Sequence, residues 1–257
     1  MRLARSRAVA DPLIVLDSCG STNAELRERL AGERLAGERL GHLAALVTDS
    51  QTAGRGRLDR TWTTPAGSAL AVSVLLRDLP ADVDAWGWLP LAAGVAMTDA
   101  VAAQLPAHDV GFKWPNDVLV GGRKICGILA EVTPDGVIMG SGVNTAMTAD
   151  ELPVPTATSF AALGASADID RLLSDYLIGL RDLVAELARV GPVASGLHAA
   201  AERRCLSVGR DVEVTMPHGE TLHGRAVRLQ DDGCLVVEAD GAERAVASGD
   251  VVHARLA

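Results

Sequence analysis

Residues 124–144, KICGILAEVTPDGVIMGSGVN, read as two long, mostly apolar strands joined at Pro134-Asp135-Gly136, a hairpin turn signal. Working outward, GFKW (111–114), SALAVSVLLR (68–77), LAALVTDSQ (43–51) and LIVLD (13–17) have the same strand-like character. Helical patterns lie between and after them. Ser21 or Thr22 is placed to cap a helix through Ala24–Leu30, with Glu25 in its first turn. Residues 84–105 carry Trp86, Leu89, Ala93, Val95, Met97 and Val101 and predict a long, mostly buried helix despite Pro90 near its start. Residues 169–190 are amphipathic at helical spacing, and Gly191-Pro192 stops them. Residues 1–12 read as a loose tail and 152–166 as a loop. The duplicated AGERL at 31–35 and 36–40 reads as a helical extension or a variable loop. Strands and helices therefore mix without strict βαβ alternation, which gives an α+β class. After about residue 205 come short alternating strands: DVEVTM, TLHGRAVRLQ, CLVVEA, ERAVAS and VVHARL, with turns at 217–219 and 231–233. They fit a small antiparallel barrel, so the chain is expected to divide into 1–205 and 206–257.

Composition narrows the classes of function. The 257 residues are 48% hydrophobic and 22% charged, enough apolar material for a sizeable core. A net charge of −9 argues against a long non-specific nucleic-acid surface, which needs clustered Lys and Arg, but not against a local basic pocket. Cys19, Cys126, Cys205 and Cys234 are scattered and form no C-x-x-C pair, as expected of buried thiols in a reducing compartment rather than of zinc or a disulfide framework. The basic start MRLARSRAVADP is followed by no apolar stretch, and no segment approaches ~20 apolar residues. A cytoplasmic protein with no membrane partner is expected.

Five short segments carry chemistry. Gly54-Arg55-Gly56-Arg57-Leu58-Asp59-Arg60-Thr61-Trp62 combines glycines that let backbone N–H groups approach an anion, three arginines suited to carboxylate and phosphate, and a flat indole; a solvated basic loop is the plain alternative. Lys113-Trp114-Pro115-Asn116-Asp117 fits a tight turn at a strand end, where Asp117 has the chemistry to hold Mg²⁺ on a nucleotide and Asn116 to bond phosphate or ribose. In Gly122–Glu131, Lys124 enters an apolar strand, which is costly unless an anion meets it or the lysine stays exposed at the strand end; Gly127 lets a ligand chain lie against the backbone. Gly140-Ser141-Gly142-Val143-Asn144 makes room for a ligand or ends a strand. Ser21-Thr22-Asn23 caps a helix or bonds a neutral polar head group.

In this order and spacing, Ser21-Thr22-Asn23, Asp49–Arg57, Lys113–Asp117, Gly122-Arg123-Lys124 with Gly127-Ile128-Leu129, and Gly142-Val143-Asn144 resemble the biotin protein ligase family over nearly the whole chain. The resemblance implies a catalytic domain related to class II aminoacyl-tRNA synthetases, a mixed sheet with helices, and an SH3-like C-terminal barrel. It implies that biotin and ATP form biotinyl-5′-AMP with Mg²⁺, and that biotin then passes to a lysine of a biotin carboxyl carrier domain. Ser21, Thr22, Asn23 and Gln51 would bond the ureido ring, and Gly54, Arg55, Gly56 and Arg57 would form the loop closing over biotin and adenylate. Lys124 and Arg57 would be the catalytic cations. Gly127, Leu129 and Gly142 would line the biotin chain. Arg57, Arg60, Trp62, Lys113, Asn116, Asp117 and Asn144 would face the nucleotide, with Asp117 toward the metal. The sequence departs from the family at Asp59, where many members have a third glycine. Twenty residues precede Ser21, too few for the DNA-binding domain some members carry, so a ligase without repressor function and without a DNA partner is expected. A lipoate-type ligase on the same scaffold is the nearest alternative enzyme. A non-catalytic biotin sensor is a further one.

Overall fold

The structure, a computed structural model, describes residues 1–36, 40–58, 60–217 and 219–253. Asp59, His218 of the 217–219 turn, most of the second AGERL copy and the end of the last predicted strand lie outside them. In chain order the elements are α1 (Ala4–Arg7), β1 (Leu13–Val15), α2 (Thr22–Ala36), β2 (Ala45–Thr48), β3 (Gly54–Arg55), β4 (Thr61–Trp62), β5 (Ala69–Leu76), α3 (Trp88–Ala102), β6 (Val110–Lys113), β7 (Asp117–Val120), β8 (Arg123–Thr133), β9 (Gly136–Asn144), α4 (Ile169–Ala194) and α5 (Leu197–Arg204). Five strands follow: β10 (Asp211–Thr215), β11 (Thr221–Leu229), β12 (Leu235–Ala239), β13 (Ala242–Val246) and β14 (Asp250–His253).

The predicted hairpin is β8–β9, and it lies within a seven-stranded sheet of order β1-β2-β5-β9-β8-β7-β6. Only β1 and β2 pair in parallel, so the sheet is mixed. The two faces are covered differently. Val72, Val74 and Leu76 of β5 and Val137 and Met139 of β9 join the main core with α3 and α4. Leu75 and Ile138, pointing the other way, pack with Leu26 and Leu30 of α2. Coverage on both sides explains why every residue of β5 is buried. On β9, Gly140 and Gly142 share the face of Ile138; there the side chains that α2 would meet are missing and a hollow opens.

Several sequence expectations need correction. The supposed tail at 1–12 is docked: Leu3, Ser6 and Ala10 are buried, and Asp170 accepts the backbone N–H groups of Arg5 and Ser6, both at 2.9 Å. By contrast, the first AGERL copy is the helical extension, one of its two readings, carrying α2 to Ala36. A 3₁₀ turn at Val83–Gly87 precedes α3. β7 and α5 have no counterpart in the sequence reading. The long helix does break where the sequence placed its stop: Gly191, at φ 79° and ψ 175°, is non-helical, and a short further helical stretch follows to Ala194. Residues 152–166 include a 3₁₀ turn at Ala161–Leu163, and Ala157 bridges to Lys124.

The C-terminal strands form the expected antiparallel sheet, in the order β13-β12-β11-β10-β14. It packs against the larger sheet's helices, and its buried residues belong to the same hydrophobic core. Trp88 and Trp114 donate their indole N–H groups to the carbonyls of Asp231 and Gly233 in the β11–β12 turn, at 2.7 and 3.0 Å.

Candidate functional site

The hollow becomes a cavity lined by Ser21, Thr22, Asn23, Gln51, Arg55, Arg57, Arg60, Trp62, Asn116, Asp117, Lys124, Leu129 and the floor glycines Gly127, Gly140 and Gly142. The floor is made by cross-strand pairs, Gly127 with Gly142 and Leu129 with Gly140. A methyl group on Gly142 would sit 2.8 Å from the Trp62 ring, and one on Gly140 would run into the Asn23 amide. The glycines are therefore required by what lies directly on the backbone.

One end of the cavity is polar and neutral. Helix α2 opens there, and the Gln51 carboxamide oxygen accepts the Thr22 backbone N–H at 2.8 Å and its hydroxyl at 3.1 Å. Gln51 thus satisfies one of the orphan donors of the helix start. Asn23 is buried, donates to the Leu129 carbonyl and accepts from Ser73, so its amide is engaged with the wall. Ser21 borders the same end.

The other end is charged, and a β-bulge sets it. Residues three apart on a regular strand point to opposite faces. The β7–β8 register slips between Val118 and Leu119, so Ile125 and Cys126 are both buried and Lys124 comes round to the face of Gly127. A methyl group on Gly127 would lie 3.0 Å from the Lys124 ammonium. That ammonium pairs with Asp117 at 2.6 Å and stands 5.6 Å from the centre of the Trp62 ring. Asp117 also pairs with Lys113 at 3.3 Å. Trp62 lies across the floor, and its indole N–H is buried without a partner.

The Gly/Arg loop arches over this end. Strands β3 and β4 pair Gly54 with Trp62 and Arg55 with Thr61. Arg57 donates to the Asn116 side chain at 3.0 Å, the Gly249 carbonyl at 3.2 Å and the Ser248 hydroxyl at 3.2 Å. Burial, reinforced by Arg60, presses the Arg57 guanidinium below its ordinary value in spite of Asp250 and Asp117, as expected of a cation short of an anion. Arg60 pairs with Asp250 of β14. Desolvation pushes the Asp250 carboxyl up, but Arg60, Lys113 and Arg57 more than offset this and hold it below the usual carboxylate value. The carboxylates of Asp117 and Asp250 are thus the partners of Lys124, Lys113 and Arg60 at this end.

Of the residues expected at the site, Ser21, Thr22, Asn23, Gln51, Arg55, Gly56, Arg57, Arg60, Trp62, Asn116, Asp117, Lys124, Gly127, Leu129 and Gly142 line this one cavity. Three do not. Gly54 is buried at the base of the loop beside a neighbouring groove, Lys113 reaches the site through Asp117 from an adjoining groove, and Asn144 is buried at the end of β9, bonded to the Thr158 carbonyl at 2.9 Å. Asp59 lies outside the described residues. Asp250, with Ser248 and Gly249, was missed: it stands in a plain alternating strand of the second sheet, with no local signal to connect it with a loop 190 positions earlier. Among the described residues no three His, Cys, Asp or Glu side chains are grouped to hold a metal ion, and no helix is long and apolar enough to cross a membrane.

Residues 27–144 match the biotin/lipoate A/B protein ligase family, and 208–254 match the biotin protein ligase C-terminal domain. The chain is 40% identical to the biotin--[acetyl-CoA-carboxylase] ligase of Mycobacterium tuberculosis over 95% of its own length and 89% of that protein's. It is 29% identical to the bifunctional ligase/repressor BirA of Bacillus spizizenii, of whose length it spans 65%. Among solved structures it resembles the biotin protein ligase from Aquifex aeolicus in complex with biotin and ATP, with a TM-score of 0.76 and 26% identity, covering 95% of this chain and 99% of that one. With a 40% identical relative covered almost end to end, the chain belongs to the biotin protein ligase family.

Proposed function

We propose that the protein is an ATP-dependent biotin protein ligase. The observation that carries this reading is the two-ended cavity: a neutral polar end built by Ser21, Thr22 and Gln51, a glycine floor, and a cluster of Lys124, Arg57 and Arg60 whose counter-charges among the described residues are Asp117 and Asp250. The ureido ring of biotin suits the first and its slender aliphatic chain the second. The carboxylate would displace Asp117 from Lys124. A biotin carboxylate oxygen attacks the α-phosphorus of ATP, the bond to the bridging oxygen breaks, and pyrophosphate leaves. The unprotonated ε-amine of the carrier lysine then attacks the acyl carbon, AMP leaves and the amine proton passes to solvent. Lys124 and Arg57 would hold the carboxylate and α-phosphate together and stabilise charge developing between them. Trp62 would leave the glycine floor and lie against the adenylate. The covering loop would keep water from the mixed anhydride.

Mg²⁺ would arrive with the nucleotide. Asp117 is engaged by two ammonium groups, and among the described residues no set of protein ligands surrounds it; this donor set suits an ion held mainly by phosphate oxygens with one carboxylate in support. The bound ion would neutralise phosphate charge. Residues 1–205 would act as the biotin- and ATP-binding unit and 206–257 as a second unit that contributes Asp250. The acyl acceptor would be a biotin carboxyl carrier domain. A lipoate-type reading is disfavoured by the polar Thr22–Gln51 end, since a dithiolane ring needs an apolar slot.

Protein mixed with Mg-ATP, labelled biotin and a biotin carboxyl carrier domain should label the carrier, and Lys124→Ala should not. Labelling by both variants would remove Lys124 from its role. Absence of both adenylate and labelled carrier with the unaltered protein would overturn the function.

A further inference from the structure

Arg55 borders the cavity, yet its guanidinium is turned to Glu131, with Nη2 2.8 Å from Oε1. The other carboxylate oxygen, Oε2, takes Nη1 of Arg27 at 2.6 Å. Glu131 lies on β8 opposite Ile138, on the same sheet face as Gly127 and Leu129 and directly beyond the floor of the site. Its side chain is only 17% exposed, whereas Arg27 and Arg55 are 46% and 42% exposed. One largely covered carboxylate therefore joins three elements: helix α2, strand β8 and the Gly/Arg loop. Among the described residues the loop's other side-chain anchors, at Arg57 and Arg60, lie on Asn116 and on Ser248–Asp250. Both arginines line the cavity, and on the ligase reading they would take the ligand's anionic groups as new partners. Arg55 has no such conflict, because Glu131 lies outside the charged end.

We infer that Glu131 is a positioning residue for the Gly/Arg loop: through Arg55 it holds the base of the loop to the sheet while Arg57 and Arg60 change partners, and Arg55 serves as that tether rather than as a ligand of biotin. The inference deepens the ligase reading and rests on it for the functional consequence. Without the carboxylate, Arg27 and Arg55 are left as neighbouring like charges, and the loop is released at its first strand.

The loop carries its own reporter, since trypsin cleaves after arginine. Glu131→Gln, Arg55→Gln, the double variant and Arg27→Gln would be compared in the whole protein by two readouts: the rate of tryptic cleavage after Arg60, followed by mass spectrometry without substrate, and the rate at which preformed biotinyl-adenylate escapes. Glu131→Gln and Arg55→Gln should each raise both rates about tenfold, the double variant should be no worse than either single one, and Arg27→Gln should change little. Thermal melting of all four should stay near that of the unaltered protein. Multiplying effects in the double variant would overturn the tether, and so would a loss of biotin affinity in Arg55→Gln that Glu131→Gln does not share. Faster cleavage with normal adenylate retention would also overturn it, leaving a merely structural ion pair. Should the unaltered protein form no adenylate, the ligase reading fails, while the cleavage rates, which need no substrate, still decide whether the tether exists.

Discussion

At the scale of single residues, the site depends on what is absent as much as on what is charged. Gly142 sits under the Trp62 ring, where an added methyl group would approach to 2.8 Å. Gly142→Ala should displace the indole or the strand, at a cost of about 1–3 kcal/mol, the range for overpacking. Equilibrium denaturation followed by indole fluorescence would show both effects; a wild-type midpoint with unchanged emission would mean that the ring has room to spare. The GSG run at 140–142 and the Gly/Arg loop could be picked out from the sequence because glycine and arginine carry such narrow physical meanings. The role of Asn23 could not. Its amide is spent on Ser73 and Leu129, residues on strands that only the folded sheet brings beside helix α2.

At the scale of elements, periodicity located the long strands and helices but not the short ones. Strand β7 spans four residues and α5 eight, and neither offers enough repeats to stand out. Helix α1 shows the same limit: four residues of ARSR have no helical pattern to speak of and hold their place by docking on α4. The Asp170 carboxylate that receives it is pushed up by desolvation, but bonds from the Arg5 and Ser6 N–H groups, the Ser6 hydroxyl and the Arg5 charge bring it below its ordinary value. A depressed acid stabilises above its unfolded value near 3.8, and the benefit goes as pH falls through the lower folded value. Hydrogen exchange of residues 4–10 should accordingly stay slow at neutral pH and quicken in strong acid before the sheet opens. Asp170→Ala should make the same segment exchange fast at neutral pH. Equal protection in the variant would show that burial of Leu3 and Ala10 suffices.

At the scale of the whole molecule, the two sheets act as one body around the site. Trp114 is buried, its backbone N–H is held by the Ser207 hydroxyl at 3.1 Å, and its indole reaches Gly233 in the second sheet. Trp114→Phe would keep most of the packing and leave the Gly233 carbonyl without its donor, a loss of about 1–3 kcal/mol. Denaturant titration measures it directly. The same joint should respond to acid. Ser207 also meets His253 at 3.0 Å, and burial, with Lys113 and Arg210 close by, pushes the His253 imidazole down to about 4. The folded state favours the neutral ring, so this contribution is complete above the ordinary value near 6.5 and is lost as pH falls from there toward 4. His253→Asn should flatten the stability profile across that window. A profile with the unaltered slope would remove His253 as its source.

Sequence alone determined the class of fold, the strand hairpin at 124–144, the antiparallel second sheet and most of the residues that meet in the cavity. The fold elements follow from periodicity and turn chemistry, and the cavity residues from the order and spacing of motifs that resemble the biotin protein ligase family. Tertiary structure alone decided three things. The bulge between Lys124 and Gly127 turned the lysine to the site face. The second sheet supplied Asp250 to an arginine 190 positions away. The carboxylate of Glu131 joined a helix and a loop through partners 104 and 76 positions distant. Each depends on a register or a long-range contact, and such contacts are set by how whole faces pack, which no local stretch of chain encodes.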